Sequence, residues 1–508
     1  MVQIRDDAPV LVIGAGIMGA GIAQVAAMAG HPVWLHDARA GAAAQARDKL
    51  GVTLQTLIGK GRLEPDAAAA TLARVRPVAA LADAAGAALV VEAIVENLEA
   101  KRGLFRELET LLGADAVLAT NTSSISVTAI AHGLVRPQRL VGMHFFNPVP
   151  LMKLVEVVSG LQTDPAVADA VFRRAQAWGK TPVHARSTPG FIVNRIARPY
   201  YAEALQLLLE RAVTPAVLDA CLRSAGFRMG PCELMDLIGH DTNFAVTQSV
   251  YDANFQDQRF RPSLVQREMV DGGLLGRKSG RGFYTHGDGG SGAPKRAAWS
   301  PGTAPFATRV VLHGQGPLAD RLARALDGRG VERAPSADWI GLTIDGAQLR
   351  LTDGRCAGAI GAEVAVFDLP LHPDLGGGEP GSVLAWAPSP RASAAWTGAA
   401  PQWLRAAGFD PEQVADVPGL VVARTVAMLV NEACDAVQQG VCSEQGADAA
   451  MKLGVAYPAG PFEWLARWHA GAIVPLLDAL DAHQRGERYR VSPWLRARAE
   501  VAATNAEG

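Results

Sequence analysis

Cysteine is scarce in this chain: Cys221, Cys232, Cys356, Cys434 and Cys442 are the only five in 508 residues, and no two stand at C-x-x-C spacing. So few thiols, odd in number, exclude a disulfide framework and suit a reducing cytoplasm. No run of about eighteen residues escapes polar interruption, so no membrane span is expected, and MVQIRDD leads into an apolar strand with no room for a signal peptide. The net charge of −2 offers no basic surface to nucleic acid and no strongly acidic tail. The histidines lie far apart and none is paired at a ligand spacing, so no metal site is expected. With 49% hydrophobic and 19% charged residues, the chain reads as a folded protein too long for one core.

The most informative stretch is VLVIGAGIMGAGIAQVAAMAGHPVWLHD, Val10 to Asp37. A short apolar run is followed at once by Gly14, Gly16 and Gly19 at G-x-G-x-x-G spacing, then by a helix carrying Ile22, Val25, Ala26 and Ala29 on one face. The free N–H groups and positive dipole end of that helix suit a pyrophosphate. Asp37 arrives eighteen residues after Gly19, where a carboxylate can accept both ribose hydroxyls of NAD and repel a 2′-phosphate. Arg39 keeps NADP open, because it could pair with that phosphate if Asp37 turned away.

From residue 1 to 187, short apolar runs (Leu89–Val91, Ala116–Ala119, Leu140–His144, Leu154–Val158) alternate with helical stretches, which predicts a Rossmann-type α/β domain with a parallel sheet. Residues 188–285 turn to helical periodicity, as in Ala202, Leu205, Leu208 and Leu209, and predict an all-α domain. A glycine-, serine- and proline-rich linker spans 286–308. Residues 309–405 read as a small degenerate α/β domain: Gly314 and Gly316 persist, the third glycine is Ala319, and a remnant without ligand is favoured over a second nucleotide site. Residues 406–508 hold a second copy of the helical domain, since 418–468 repeat 189–239. Pro189, Gly190, Arg195, Glu203, Gly230, Pro231 and Glu233 find partners at Pro418, Gly419, Arg424, Glu432, Gly460, Pro461 and Glu463, whereas Asn194 meets Ala423.

A hydride leaving a carbinol carbon needs a base for the hydroxyl proton and polar groups to fix the oxygen. His144 closes a predicted strand at the ligand edge, and histidine is the residue type suited to take up a proton near neutral pH. Glu156, alone among the apolar residues of LVEVV, is unexpected unless paired, and pairing with His144 would fix the tautomer and favour the imidazolium. Ser123, in TNTSS, follows another strand at the same edge; Ser124 and Ser126 read equally well as helix caps. Asn147, in HFFNPVP, is placed to reach the cofactor, and Asn194, early in a helix, to reach the substrate. Taken singly, each of these residues has a structural reading: a satisfied core histidine, a carboxylate on an exposed strand face, a cap, a buried asparagine.

Together VIGAGIMGAGIA, VVEAIVEN, TNTSS, HFFNPVPLMKLVEVV, TPGFIVNR, MGPCELMDLIG and GRKSGRGFY resemble the L-3-hydroxyacyl-CoA dehydrogenase family over the first 285 residues. The resemblance implies His144 as catalytic base, Glu156 as its partner, Ser123 and Asn194 as substrate-orienting neighbours, and NAD contacts from Asp37, Glu96, Lys101, Ser123, Asn147 and Lys278. The duplicated helical domain is similar to longer bacterial members associated with phenylacetate breakdown, which implies 3-hydroxyadipyl-CoA as substrate. The expected partner is therefore an acyl-CoA, with no nucleic acid and no membrane, and the expected assembly is a monomer with an internal pseudo-dimer, or a homodimer. Two other readings stay open: a dehydrogenase of free 3-hydroxy acids or sugar acids, and an inactive NAD-binding homologue.

Overall fold

Strand and helix alternate from the start of the chain, and the computed structural model describes residues 3–287, 290–294, 296–328, 330–371 and 379–507. Residues 288, 289 and 295 of the expected linker, 329 and 372–378 of the expected small α/β domain, and the terminal positions 1, 2 and 508 lie outside the described residues. The chain divides into two compact units, Met1–Arg195 with Gln439–Val455, and Ile196–Gln438 with Ala456–Gly508.

In the first unit eight strands form one sheet: β1 (Val10–Ile13), β2 (Val33–His36), β3 (Val75–Pro77), β4 (Leu89–Glu92), β5 (Val117–Thr120), β6 (Leu140–Phe145), β7 (Leu154–Ser159) and β8 (Thr181–Arg186). Their spatial order is β3-β2-β1-β4-β5-β6-β7-β8. β1, β4 and β5 are buried along their whole length, as a sheet with helices on both faces requires. Those helices are α1 (Ile17–Met28), α2 (Ala42–Gly59), α3 (Pro65–Arg74), α4 (Leu98–Leu111), α5 (Val127–Ala131) and α6 (Pro165–Ala177). The strand order reverses between β1 and β4, which opens a ligand crevice outside the carboxyl ends of the strands.

The sheet is not parallel throughout, because β7 runs antiparallel to β6, and β8 then follows β7 in parallel through α6. Only residues 146–153 join β6 to β7, too few for a parallel crossover, which takes a dozen or more. The reversal sets His144 directly opposite Glu156 in the register.

The second unit holds both helical copies and a second sheet. Arg198–Leu209, Pro215–Ser224, Pro231–Ile238, His240–Ala253 and Leu264–Asp271 build the first copy; Val422–Gln438, Pro461–Trp468, Ala470–Gln484 and Pro493–Glu507 build the second. Helix Glu444–Val455, from within the repeated stretch, belongs to the first unit. The backbone repeats with the sequence: Phe191 and Leu420 have φ of 48° and 49°, and Gln256 and Arg485 have 61° and 48°, each pair 229 positions apart. Residues with a β-carbon seldom adopt such angles, so the coincidence marks one chain path used twice.

The copies pack on each other by exchange. Arg488 Nη2 donates to Glu203 Oε1 at 2.9 Å, and its counterpart Arg259 Nη1 donates to Glu432 Oε2 at 3.2 Å, so each arginine serves the other copy's glutamate. That reciprocity is the signature of an isologous contact, here within one chain. Strands Val310–His313, Glu332–Ala334, Gly341–Ile344, Ala347–Leu351, Val364–Phe367, Ser382–Pro388 and Phe409–Gln413 form the second sheet, which mixes parallel and antiparallel pairs. Asp368, at the end of Val364–Phe367, is fully buried and accepts the N–H groups of Leu369, Val421, Val422 and Ala423 at 2.6 to 2.9 Å.

Candidate active site

The crevice is shaped by the turn after β1. Gly14 has φ of 101°, and a β-carbon there would stand 2.4 Å from the Ala93 carbonyl oxygen; one on Gly19 would stand 1.7 Å from the Gly14 oxygen. Both positions therefore require glycine, whereas the place of a β-carbon on Gly16 is open space, with nothing within 4 Å. α1 begins at Ile17 with no side-chain cap, leaving its first N–H groups to an anion. At the end of β2, Asp37 Oδ2 accepts the Ala15 N–H at 2.8 Å, and Oδ1 accepts the backbone N–H and Nε of Arg39 at 2.9 and 3.2 Å. Burial opposes ionisation of Asp37, but these donors outweigh it and hold the carboxyl below its usual range. Asp37 thus faces inward as an anion with Arg39 upon it, an arrangement that fits the diol of an NAD ribose.

Glu96 follows β4. Its Oε1 accepts from Thr122 Oγ1 at 2.5 Å, the Ser123 N–H at 2.9 Å and both the N–H and hydroxyl of Ser124 at 3.1 Å, while Oε2 lies 3.3 Å from Lys101 Nζ. Burial opposes its ionisation, yet Thr122, Lys101 and the serine donors keep its pKa low. Lys101 is itself buried on α4 and donates to Glu92 Oε1 at 2.6 Å. Glu92, fully buried at the end of β4, also accepts from the Ile94 N–H and Thr120 Oγ1. Lys101 is therefore held between two carboxylates, and Glu96 fixes the backbone that presents Ser123. The sequence reading missed Glu92 and Thr122; the signal for Glu92 was a charge closing the apolar run LVVE. Ser126 does cap α5, accepting from the Ala129 N–H, whereas Ser124 is bound to Glu96.

His144 Nδ1 lies 2.6 Å from Glu156 Oε2, and both side chains are buried. A carboxylate accepts, so Nδ1 carries the proton and the lone pair falls on Nε2. The ring packs against Phe146 at 4.6 Å and edge-on to Phe191 at 5.8 Å. Glu156 Oε1 takes the N–H groups of Ile192 and Val193 at 3.1 and 2.9 Å, so one carboxylate orients the imidazole and anchors the segment that delivers Asn194. Asn194 Nδ2 approaches the Ser123 carbonyl oxygen at 3.5 Å. Asn147, exposed after β6, precedes a cis peptide bond to Pro148. These residues all belong to the first unit. Lys278 belongs to the second, where it forms an ion pair with Asp241. No group of three or more His, Cys, Asp or Glu side chains among the described residues is placed to hold a metal.

Comparison with known proteins finds relatives that span nearly the whole chain. Residues 9–188 match the family model for the NAD binding domain of 3-hydroxyacyl-CoA dehydrogenase, 190–286 and 419–506 match its C-terminal domain, and 349–418 match the reduced Rossmann-fold domain of 3-hydroxybutyryl-CoA dehydrogenase. The chain is 44% identical to 3-hydroxyadipyl-CoA dehydrogenase of Escherichia coli (strain K12) over 96% of its own length and 97% of that protein's. It is 38% identical to the mitochondrial hydroxyacyl-coenzyme A dehydrogenase of Sus scrofa over 54% of its length and 90% of the relative's. A crystal structure of 3-hydroxybutyryl-CoA dehydrogenase from Escherichia coli K12 superposes with a TM-score of 0.87 at 42% identity, covering 99% of this chain and all of that one.

Proposed function

The chain belongs to the 3-hydroxyacyl-CoA dehydrogenase family, and from that premise we propose how its own residues oxidise an L-3-hydroxyacyl-CoA to the 3-ketoacyl-CoA. It is an NAD-dependent oxidoreductase, and NAD, when bound, supplies the acceptor for the hydride that leaves carbon 3. Gly16, the uncapped start of α1 and Asp37 would hold the pyrophosphate and ribose, with Glu96 and Asn147 as further contacts. Lys101 acts through Glu96.

As the carbon–hydrogen bond breaks, the hydroxyl proton passes to His144 Nε2 and the carbon–oxygen bond becomes a carbonyl. Glu156 stabilises the imidazolium that results, and the Ser123 hydroxyl and Asn194 amide orient the substrate oxygen. The observation that carries this reading is the 2.6 Å contact of His144 Nδ1 with a buried Glu156, which leaves Nε2 as the proton acceptor. His144→Gln is expected to lower kcat by roughly a thousandfold while a fluorescence titration shows NADH binding nearly unchanged. Turnover close to the parent would remove His144 from the mechanism.

The narrower substrate is 3-hydroxyadipyl-CoA, supported by the relative of that name and by its coverage of both helical copies. The relative in the solved structure is named for the four-carbon ester, so an NADH-forming assay on 3-hydroxyadipyl-CoA and 3-hydroxybutyryl-CoA discriminates between them. Higher kcat/KM for the shorter ester would overturn the dicarboxylic assignment.

A further inference from the structure

The exchange between the helical copies is symmetric at Glu203 and Glu432 and fails at the positions around them. In the second copy Asp435 takes a second bond from Arg259, Asn431 bonds the Arg490 carbonyl and the Ser492 N–H, and Gln438 accepts the Trp494 N–H, so that side is filled. The matched positions on the first copy are Gln206, Ala202 and Leu209, each 229 residues earlier. Two small or apolar side chains and one neutral amide cannot repeat those bonds, and a cavity of about 320 Å³ lies there instead.

Its lining combines cations with apolar surface. Arg198, Arg261, Arg485 and Arg488 face it, against the single carboxylate of Glu487 within the lining. Arg488 is engaged by Glu203, and behind the wall Glu210 Oε1 receives the Gln206 and Gln484 amides at 2.8 Å each. Arg198 is 5% exposed, donates to Thr247 Oγ1 at 3.0 Å and lies over the Tyr201 ring at 4.8 Å. In the second copy its place is held by Ala427 and that of Tyr201 by Val430. Burial pushes the Arg198 guanidinium below its usual range, a cost that a bound anion relieves. Leu205, Leu209 and Leu264 complete the apolar wall.

We propose that this cavity is a binding site for a small amphipathic carboxylate, its anionic head on Arg198 and its aliphatic body against Leu205, Leu209 and Leu264. The chemistry is that of Arg-to-carboxylate recognition in a concave, mostly apolar pocket. Isothermal titration of the full-length protein with hexanoate, adipate, hexanamide and inorganic phosphate tests it. Hexanoate or adipate is expected to bind saturably, with affinity weakened roughly tenfold or more by Arg198→Met. Hexanamide is expected not to bind. Ala202→Leu, which narrows the cavity and leaves the arginines in place, is expected to weaken binding as well, and it carries the test if Arg198→Met fails to fold. Absent saturable binding, equal binding of hexanamide, or unchanged affinity in the folded variants overturns the site; phosphate binding as tightly as hexanoate overturns its amphipathic character.

Discussion

At the scale of single residues, Glu156 is the most consequential side chain, because its two oxygens serve different neighbours. Oε2 meets His144, and Oε1 meets the backbone of Ile192 and Val193. Two substitutions separate the roles. Glu156→Gln can keep the anchor through its carbonyl oxygen, but its amide then donates to Nδ1 and moves the ring proton to Nε2, where it blocks proton uptake. We expect kcat to fall by about 100-fold or more with little change in Tm. Glu156→Ala removes the anchor too and leaves two buried N–H groups unpaired, which costs about 1–3 kcal/mol for each orphaned group. A parallel thermal melt of the two variants checks the distinction. Asp37 offers a second test at this scale: Asp37→Ser removes the anion that meets the ribose and frees Arg39. The Kd for NAD is expected to rise roughly tenfold and NADP turnover to appear, read from initial rates with each cofactor.

Elements show where sequence reasoning carried and where it stopped. The glycine turn, the alternation of apolar runs with helices and the placing of His144 and Glu156 were legible because each rests on local pattern: a period, a steric demand, a charge out of place. The direction of β7 was misread, although a connection of residues 146–153 is too short for a crossover. Glu92 escaped because the strand was read as ending at Val91, one residue short of the charge. Asp368 carried the signal of Glu92, a charge closing an apolar run, VAVF, but its partners were hidden. It takes the N–H groups of Val421 and Val422, which stand where Ile192 and Val193 stand in the first copy, and backbone donors leave no trace in a sequence. Burial pushes its carboxyl up to about 6 despite four N–H partners. In the second copy the anchoring half of Glu156's work is retained, while the amide of Asn194 is replaced by Ala423. The exchange of Arg259 and Arg488 was equally hidden, since those residues lie beyond the similar blocks.

For the molecule as a whole, the pairing of helical copies predicts both stability and assembly. Burial opposes ionisation of Glu203, but Arg488, Arg424 and Tyr489 outweigh it, so its folded pKa lies below the usual 4.5. The unfolded chain then binds the proton more readily, and the contribution of Glu203 is complete above about pH 4.5 and lost as pH falls through the depressed value. Glu203→Gln removes the anion that Arg424 and Arg488 share and is expected to cost about 3–5 kcal/mol at neutral pH. Urea unfolding across pH should show that deficit shrinking below about pH 4.5. The apolar surfaces that the two copies present to each other are covered within one chain, so light scattering is expected to report a single chain of 53.3 kDa.

Joining both halves covalently also changes how the enzyme answers to its own abundance. Two separate subunits part when diluted, and whatever depends on their contact is lost with them. A tether replaces that bimolecular equilibrium by a fixed local concentration, so specific activity is expected to stay constant across a dilution series of the enzyme.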